Sequence, residues 1–254
     1  SWLQERLQQE IALERQRQER AANQRPILEL INSKPILSTS PVSPLTKALT
    51  VPDPGIIEAE AWLKVIKHPS VVLVMGKRGS GKSGLGHRLL ELLRYKARPY
   101  VIGLPKEARI LLPDWVGMAA SLEDVKGSAI ILVDEAYIPY HARAGTTAGA
   151  RAMSQAVNLS RQKEQTLIFV TQEARQIDKN IASSADVFIF KDPGAMQLKF
   201  DRRELNEIAV KASEAFATIK GDKRQWSLIY APDTDFVGLL QHTLPTFWNK
   251  KLSH

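Results

Sequence analysis

Apolar and polar positions divide the chain into strand-like and helix-like stretches between about residues 70 and 193. All but one of the strand-like stretches are nearly continuous apolar runs, which are typical of parallel strands buried on both faces. The exception, YVIGL, is more mixed. The predicted strands are VVLVM (71–75), YVIGL (100–104), AIILVD (129–134), TLIFVT (166–171) and DVFIFK (186–191).

Helical periodicity fills the intervals between these strands, as in GLGHRLLELLRYK (84–96) and AMSQAVNLSRQKE (152–164). Alternation of strands and helices predicts an α/β fold in which helices cover both faces of a parallel sheet. We therefore expect a mostly parallel, doubly wound sheet of about five strands. Beyond it, residues 202–220 are predicted to form a helix and residues 225–230 an added strand.

The regions outside this core differ from it in composition. The first residues are rich in Gln, Glu and Arg, with Leu3, Leu7 and Ile11 on one face of a predicted helix. Six prolines then occur among Ser and Thr residues, which predicts an extended linker. The predicted organisation is a helical arm at 1–25, a linker at 26–56, an α/β core at 57–198 that opens with a short helix at 57–66, and a C-terminal α/β extension packed on the core at 199–254.

Composition narrows the range of functions. The formal net charge of +8 and the pI of about 9.6 favour a polyanionic partner. Cysteine does not occur in the sequence, which excludes disulfide bonds, thiol catalysis and cysteine-ligated metals. No apolar run approaches the roughly 18–20 residues that a membrane-spanning helix needs.

A glycine-rich loop directly follows the first predicted strand. Its sequence, GKRGSGKS, matches the Walker A pattern G-x-x-x-x-G-K-S between a buried strand and a helix. Glycines let successive backbone N–H groups turn inward toward phosphate oxygens, Lys82 reaches the β- and γ-phosphates, and the Ser83 hydroxyl binds Mg²⁺. The candidate ATP-binding residues are Gly76, Lys77, Arg78, Gly79, Ser80, Gly81, Lys82, Ser83 and Gly84.

Two acidic residues end the predicted strand AIILVD and begin the segment after it. Acidic groups at the carboxyl end of a parallel strand face the ligand crevice, so Asp134 is a candidate Mg²⁺ ligand. Glu135 is then a candidate general base for the attacking water. The structural alternative is a charged strand end that caps the next helix.

A strand ending in Thr171 and Gln172 supplies two further candidates. The Gln172 amide suits a residue that holds the lytic water or senses the γ-phosphate, or else a simple turn residue. Arg161 precedes the same strand and is predicted to lie at the opposite end of it, away from its own nucleotide. It is either a solvated helix-end charge or an arginine that completes a neighbouring subunit's site.

These elements together resemble the FtsK–HerA superfamily of ring-forming DNA-pumping ATPases, which includes compact viral packaging and Zot-like ATPases. The resemblance covers about residues 70–193 and rests on the Walker A loop, the Asp-Glu pair and the arginine that precedes a strand-end TQ. It implies a P-loop NTPase of the ASCE type. It also implies catalytic roles for Lys82, Glu135, Gln172 and, acting in trans, Arg161.

The resemblance further implies partners and a location. A trans-acting arginine implies a homo-oligomer, with a hexameric ring as the default. The resemblance also implies that the substrate is duplex DNA, bound without sequence specificity. A capsid or transfer-complex protein is a candidate partner. The expected location is the cytoplasm, the host's if the protein is viral, with association with a virion or a membrane complex as an alternative.

The candidate DNA contacts lie in the glycine-rich segment YIPYHARAGTTAGAR (137–151), which is predicted to be a mobile loop. In a ring, Arg143 and Arg151 are candidates to grip DNA phosphates from the pore, and an ordinary connector is the alternative. Nine basic residues against two acidic ones between positions 77 and 113 either add to this surface or form a solvated helix face.

The function that these features favour is an ATP-driven DNA translocase for genome packaging or transfer. The main alternative is an ATP-gated assembly or secretion factor of the Zot type that has no DNA substrate. A third possibility, a nucleotide kinase, is disfavoured because such an enzyme does not need the second carboxylate of the Asp134–Glu135 pair.

Overall fold

The computed structural model describes residues 58–133, 157–171, 184–193 and 203–252. These residues form α1 (Glu58–Val65), β1 (Val71–Met75), α2 (Lys82–Leu93), β2 (Arg98–Ile102), β3 (Gly117–Ala119), β4 (Ala129–Val133), β5 (Gln165–Thr171), β6 (Val187–Phe190), α3 (Arg203–Thr218), β7 (Trp226–Ala231) and β8 (Phe236–Gln241).

The strands form one eight-stranded sheet in the order β3-β2-β4-β5-β1-β6-β7-β8. The first six strands in this order are parallel, and β7 and β8 extend the sheet in antiparallel pairing. Strand β1 lies between β5 and β6, with Met75 paired to Thr171 on one side and to Phe190 on the other. The carboxyl ends of these strands therefore share one edge of the sheet.

Helices pack on both faces of the sheet, which explains the continuous apolar runs. Successive residues of β1 point to opposite faces, so Val71, Leu73 and Met75 join the core beneath α3. Val72 and Val74 join the core beneath α1 and α2. Every residue of β1 is buried, which leaves no position where a polar side chain would be tolerated without a partner.

The predicted mixed α/β fold with a mostly parallel sheet is confirmed, but the count of about five strands is too low. All five predicted core strands are present, and β7 is the added strand predicted at 225–230. Strands β3 and β8 were not predicted. The predicted helix at 84–96 begins and ends earlier, at Lys82–Leu93, and the predicted strand at 100–104 lies at Arg98–Ile102.

Several predicted segments lie outside the described residues. They are the arm at 1–25, the linker at 26–56 and the candidate DNA-binding loop at 137–151. Of the helix predicted at 152–164, residues 157–164 are described; residues 157–162 are helical, and residues 163–164 form a turn. Within the described ranges, no helix is long and apolar enough to cross a membrane.

Candidate nucleotide-binding site

The Walker A loop joins β1 to α2 at the carboxyl edge of the parallel strands. Helix α2 begins at Lys82, its N-cap is Gly81, and no side chain caps this end of the helix. The first N–H groups of a helix have no acceptor within the helix, and its amino end carries a partial positive charge. This end of α2 is therefore suited to bind an anionic group.

Glycine is required in the loop for two different reasons. Gly79 and Gly81 adopt φ values of +75° and +91°, in the left-handed region that other residues rarely enter. At Gly81 a Cβ would also approach the Arg224 carbonyl oxygen to 2.8 Å. A Cβ at Gly76 would lie 2.6 Å from the Lys191 Cβ and 2.7 Å from the Ser80 Oγ. The two ends of the loop, at Gly76 and Gly81, are thus packed closely against neighbouring segments, whereas its middle, at Gly79, is exposed.

Lys82 is held across the loop. Its side chain is 6% exposed, and its Nζ donates a hydrogen bond to the Lys77 carbonyl oxygen at 3.0 Å. The Ser80 hydroxyl, also buried within the loop, has no hydrogen-bond partner among the described residues. A lysine, a hydroxyl and an uncapped helix end within one glycine-rich turn fit the phosphates of ATP.

The predicted Mg²⁺ ligands fit that ion in chemistry, but only one of them is described. Ser83 lies in the first turn of α2 and is half-buried, and its hydroxyl is the hard oxygen donor that Mg²⁺ prefers. Asp134 lies outside the described residues. Among the residues that are described, no cluster of three His, Cys, Asp or Glu side chains is arranged to hold a metal ion.

The two extra cations of the loop differ in their surroundings. Lys77 is tied to the end of β6, because its Nζ lies 2.5 Å from Asp192 Oδ2 and its backbone N–H donates to the Asp192 carbonyl at 3.1 Å. Arg78 is exposed. Lys77 therefore contributes its charge at a position set by β6.

A fully buried lysine, for which the sequence predicts no role, lies behind the loop. Lys191 Nζ donates to the carbonyl oxygens of Arg224 at 2.7 Å and Trp226 at 2.6 Å, and to His242 Nε2 at 2.8 Å. Burial lowers the pKa of Lys191 well below its usual value; Asp222 opposes the shift and Lys82 adds to it. Lys191 holds the Arg224 carbonyl against Gly81, so it shapes one wall of the loop.

His242 completes this buried pair. Burial lowers its pKa well below 6.5, and the Lys191 charge lowers it further. The neutral ring therefore accepts from Lys191 through Nε2, while Nδ1–H donates to the Thr243 carbonyl oxygen at 3.0 Å. The sequence offers one signal for this buried pair, a lysine that directly follows an apolar strand. It does not indicate the partner, because His242 lies 51 residues further along the chain.

Arg224, which lies just before β7, has its backbone beside the Walker A loop. Arg224 makes a bidentate ion pair with Asp222, with distances of 2.8 Å from Nε to Oδ1 and 2.9 Å from Nη2 to Oδ2. The hydrogen bond from Arg224 lowers the pKa of Asp222. Sequence reasoning missed this residue, because the position of its backbone next to Gly81 depends on the pairing of β7 with β6.

The C-terminal segment packs on the helix that follows the loop. A Cβ at Gly84 would meet Leu244 Cδ2 at 2.8 Å and Trp248 at 3.9 Å. His87, one turn further along α2, has its ring edge-to-face with Phe247 and Trp248, at centroid distances of 6.1 and 5.7 Å. The apolar-aromatic tail of the sequence therefore supports the P-loop helix directly.

A buried charge network fastens this segment to α1 and α2. Arg88 lies between two carboxylates, with its Nε 2.9 Å from Glu58 Oε1 and its Nη1 2.5 Å from Glu91 Oε2. Glu58 also accepts from the backbone N–H of Thr243 at 3.1 Å, and Glu91 accepts from that of Thr246 at 3.2 Å. Burial disfavours the charged guanidinium, but the two carboxylates outweigh that effect and raise the pKa of Arg88.

His87 predicts a specific dependence of stability on pH. Burial lowers its pKa from 6.5 to about 4, so the unfolded chain binds an extra proton between these values. The free energy of unfolding should therefore fall as the pH drops from 7.5 to 5, with about 2 kcal/mol of the fall due to this residue. Urea unfolding of wild type and His87→Phe at both pH values measures the difference, and His242 is common to both chains. Equal pH dependence in the two proteins would contradict the prediction.

Arg161 lies at the opposite edge of the sheet from the Walker A loop. Its Nη2 donates to Asp186 Oδ1 at 2.8 Å and to the Ser184 carbonyl at 3.4 Å, and its side chain is 58% exposed. Asp186 immediately precedes β6, and its carboxylate also contacts the first residue of β1. The length of β1, about 15 Å, therefore separates this pair from the loop.

Five predicted site residues lie outside the described residues, namely Asp134, Glu135, Gln172, Arg143 and Arg151. The residues that precede Asp134 and Gln172 in the chain are described. Val133 and Thr171 end β4 and β5 at the same edge of the sheet as Met75, the residue before the Walker A loop. The structure thus brings the Walker A residues together and does not bring Arg161 to them.

The cluster of basic residues between 77 and 113 is partly structural. Arg88 is buried, and Arg109 donates to the carbonyl oxygens of Leu112, Pro113 and Val116. Their charges are engaged within the fold, so the net charge of this stretch overstates the surface available to a polyanion.

Solved structures of viral genome-packaging ATPases are similar to this chain. The DNA-packaging ATPase B204 from Sulfolobus turreted icosahedral virus matches it with a TM-score of 0.51 and 19% identity over 70% of this chain and 100% of that chain. The genome-packaging NTPase B204 from Sulfolobus turreted icosahedral virus 2, in complex with ATP-gammaS, matches with a TM-score of 0.51 and 18% identity over 70% and 98%. No protein-family model and no curated protein sequence matches the chain. The expected likeness to compact viral packaging ATPases is confirmed for the fold, and the chain has the P-loop fold of these enzymes.

Proposed function

We propose that this protein is an ATPase that works as a ring and uses ATP hydrolysis to move DNA. The observation that carries the proposal is the position of two features at opposite ends of the strands. The Walker A loop lies at the carboxyl end of β1, and an exposed arginine lies at the amino end, about 15 Å away. A head-to-tail contact between subunits joins unlike surfaces, and a closed ring satisfies every such contact.

The residues of the site have defined roles in this mechanism. Backbone N–H groups from Gly79 to Ser83 and the amino end of α2 bind the phosphates, with Lys82 exchanging the Lys77 carbonyl for phosphate oxygen. Ser83 and Asp134 would hold Mg²⁺, which would neutralise phosphate charge. Glu135 accepts a proton from the attacking water, and Gln172 orients it.

The neighbouring subunit supplies the last group. Arg161 is exposed and lies far from the Walker A loop of its own subunit, so its guanidinium can contact a nucleotide bound to the adjacent subunit. There it stabilises the negative charge that develops on the transferred phosphoryl group. We assign the sheet to the ASCE type, supported by β5 lying between β1 and β4 in the strand order.

DNA is the proposed substrate, and three observations support it. The protein has a formal charge of +8 and a pI of about 9.6. Arg143 and Arg151 occur in a glycine-rich segment that follows the predicted catalytic strand. The fold is that of proteins described as DNA-packaging ATPases. Residues 57–198 would then form the motor core, 199–254 its supporting extension, and 1–56 an arm and linker.

Stimulation of ATP hydrolysis by linear duplex DNA tests the proposal. We expect stimulation that grows with DNA length and assembly beyond the monomer, measured by mass, when a non-hydrolysable ATP analogue and DNA are added. Glu135→Gln serves as the hydrolysis-deficient control. Hydrolysis that ignores DNA, in a protein that assembles only with a protein partner, would support a Zot-type assembly factor instead. A strict monomer in every condition would rule out the ring.

The pair of candidate DNA contacts gives a quantitative prediction. Arg143→Ala/Arg151→Ala should lower the slope of log affinity against log salt concentration by about 2, because each lost phosphate contact removes about 0.9. Fluorescence anisotropy with duplex DNA at several salt concentrations measures that slope. Lys126→Ala/Lys220→Ala removes the same charge from exposed positions elsewhere and is the matched control. An identical slope in both double variants would exclude Arg143 and Arg151 from the DNA path.

A further inference from the structure

One carboxylate joins the exposed arginine to the strand that carries the Walker A loop. Asp186 Oδ1 accepts from Arg161 Nη2 at 2.8 Å, and Asp186 Oδ2 accepts from the backbone N–H of Val71 at 2.7 Å. The backbone N–H of Asp186 also donates to the Val71 carbonyl at 2.8 Å. Asp186 is itself only 20% exposed. Its position is therefore fixed by the first residue of β1.

The far end of β6 has a second aspartate in an equivalent position. Asp192 binds Lys77 of the Walker A loop through both its carboxylate and its carbonyl oxygen. Strand β6 pairs in parallel with β1 along its whole length. The two strands thus form a rigid pair, with the nucleotide loop at one end and Arg161 at the other.

Stability alone does not account for the Arg161–Asp186 pair. Ion pairs this exposed contribute little to the free energy of unfolding. What the pair does provide is orientation, because an unpaired arginine has many rotamers to lose when it binds a phosphate. The 2.8 Å contact uses one Nη2 hydrogen of five guanidinium donors, with a weaker bond to the Ser184 carbonyl, so donors remain for another ligand.

The surroundings of the pair also leave room for a partner. A cavity of about 290 Å³ opens beside it, lined among others by Arg161, Asp186, Lys67, Ser70 and Asp233. The Ser70 hydroxyl is buried and has no hydrogen-bond partner in the described part of the chain. The guanidinium therefore lies beside a recess that the described residues leave open.

We propose that Asp186 is a positioning residue for Arg161. It fixes the position of the guanidinium relative to β1, so that the arginine of one subunit loses little side-chain entropy when it binds the phosphates on the next subunit. The inference rests on the proposed function, in which Arg161 acts in trans. It predicts that Asp186 affects turnover through Arg161 and not through its own subunit's affinity for ATP.

Asp186→Asn tests this role, because the amide oxygen can still accept from the Val71 N–H while the charge that holds Arg161 is lost. We expect kcat for ATP hydrolysis by the assembled protein to fall about 10²-fold, the effect of a small misplacement, with KM for ATP nearly unchanged. Asp233→Asn removes a carboxylate from the same cavity without touching Arg161 and should keep wild-type turnover.

The double variant Arg161→Ala/Asp186→Asn separates positioning from structural damage. If Asp186 acts through Arg161, adding Asp186→Asn to Arg161→Ala changes kcat no further. An equal fall in both backgrounds would show a structural role and overturn the inference. Full activity of Asp186→Asn beside a crippled Arg161→Ala would overturn this inference alone, whereas full activity of Arg161→Ala would overturn the trans mechanism as well.

Discussion

Arg161→Ala should lower the ATP turnover of the assembled protein by about 10³-fold or more, which is the range measured for arginines that act across a subunit boundary. The reason is electrostatic. A guanidinium beside the phosphoryl group neutralises charge that grows in the transition state, and water neutralises it far less well in a closed site. Since Arg161 is remote from its own loop, the affinity of an isolated subunit for ATP should change little.

A mixing experiment distinguishes action in trans from any other cause of the loss. Arg161→Ala subunits retain an intact Walker A loop, and Lys82→Ala subunits retain an intact arginine. Each variant alone should be nearly inactive, but an equal mixture should regain activity at about a quarter of its interfaces, where an intact loop meets an intact arginine.

Two results would contradict this prediction. A mixture as inactive as its components would show that both residues must belong to one subunit. Normal turnover of Arg161→Ala would remove the arginine from the chemistry altogether. Lys67→Ala, which removes a cation from the same cavity without disturbing Asp186, is the matched control and should turn over ATP normally.

The core of the fold was predictable because its strands are buried on both faces. Burial leaves no polar residue in β1, β4 and β6 and none in the centre of β5, so each contains an unbroken apolar run. Three residues of β3 are too few to form a pattern. Strand β8 lies at the edge of the sheet and contains Gly238, so neither alternation nor continuity marks it.

The nucleotide loop was predictable for a different reason, since its residues are consecutive and its geometry is local. The groups that surround the loop are not local. Lys191 reaches Arg224 and His242 only because β6 pairs with β7 and β7 with β8. Asp186 meets Val71 across 115 residues. A single sequence carries no signal for such contacts, because each depends on strand order, which follows from the whole chain.

Arg88 was counted among the basic residues of a possible DNA-binding surface, but it is buried between two carboxylates. Its replacement is therefore expected to have a large effect on stability. Arg88→Met should lower the free energy of unfolding by about 3–5 kcal/mol, because it leaves the carboxylates of Glu58 and Glu91 buried without a counter-charge. Urea unfolding of the full chain at neutral pH measures the loss. Lys64→Met breaks an exposed ion pair with Glu60 and should leave stability nearly unchanged.

A triple variant tests whether uncompensated charge is the cause. Glu58→Gln/Arg88→Met/Glu91→Gln removes all three charges, while the amide oxygens still accept from the Thr243 and Thr246 N–H groups. Replacement of a whole buried ion network is often neutral, so most of the lost stability should return. A triple variant no more stable than Arg88→Met would instead assign the loss to packing of the long arginine side chain. Recovery of the free energy of unfolding would mean that hydrogen bonds to the side chains at positions 58 and 91 hold the C-terminal segment on α2. Arg88 would then be needed only because the native acceptors, Glu58 and Glu91, are charged.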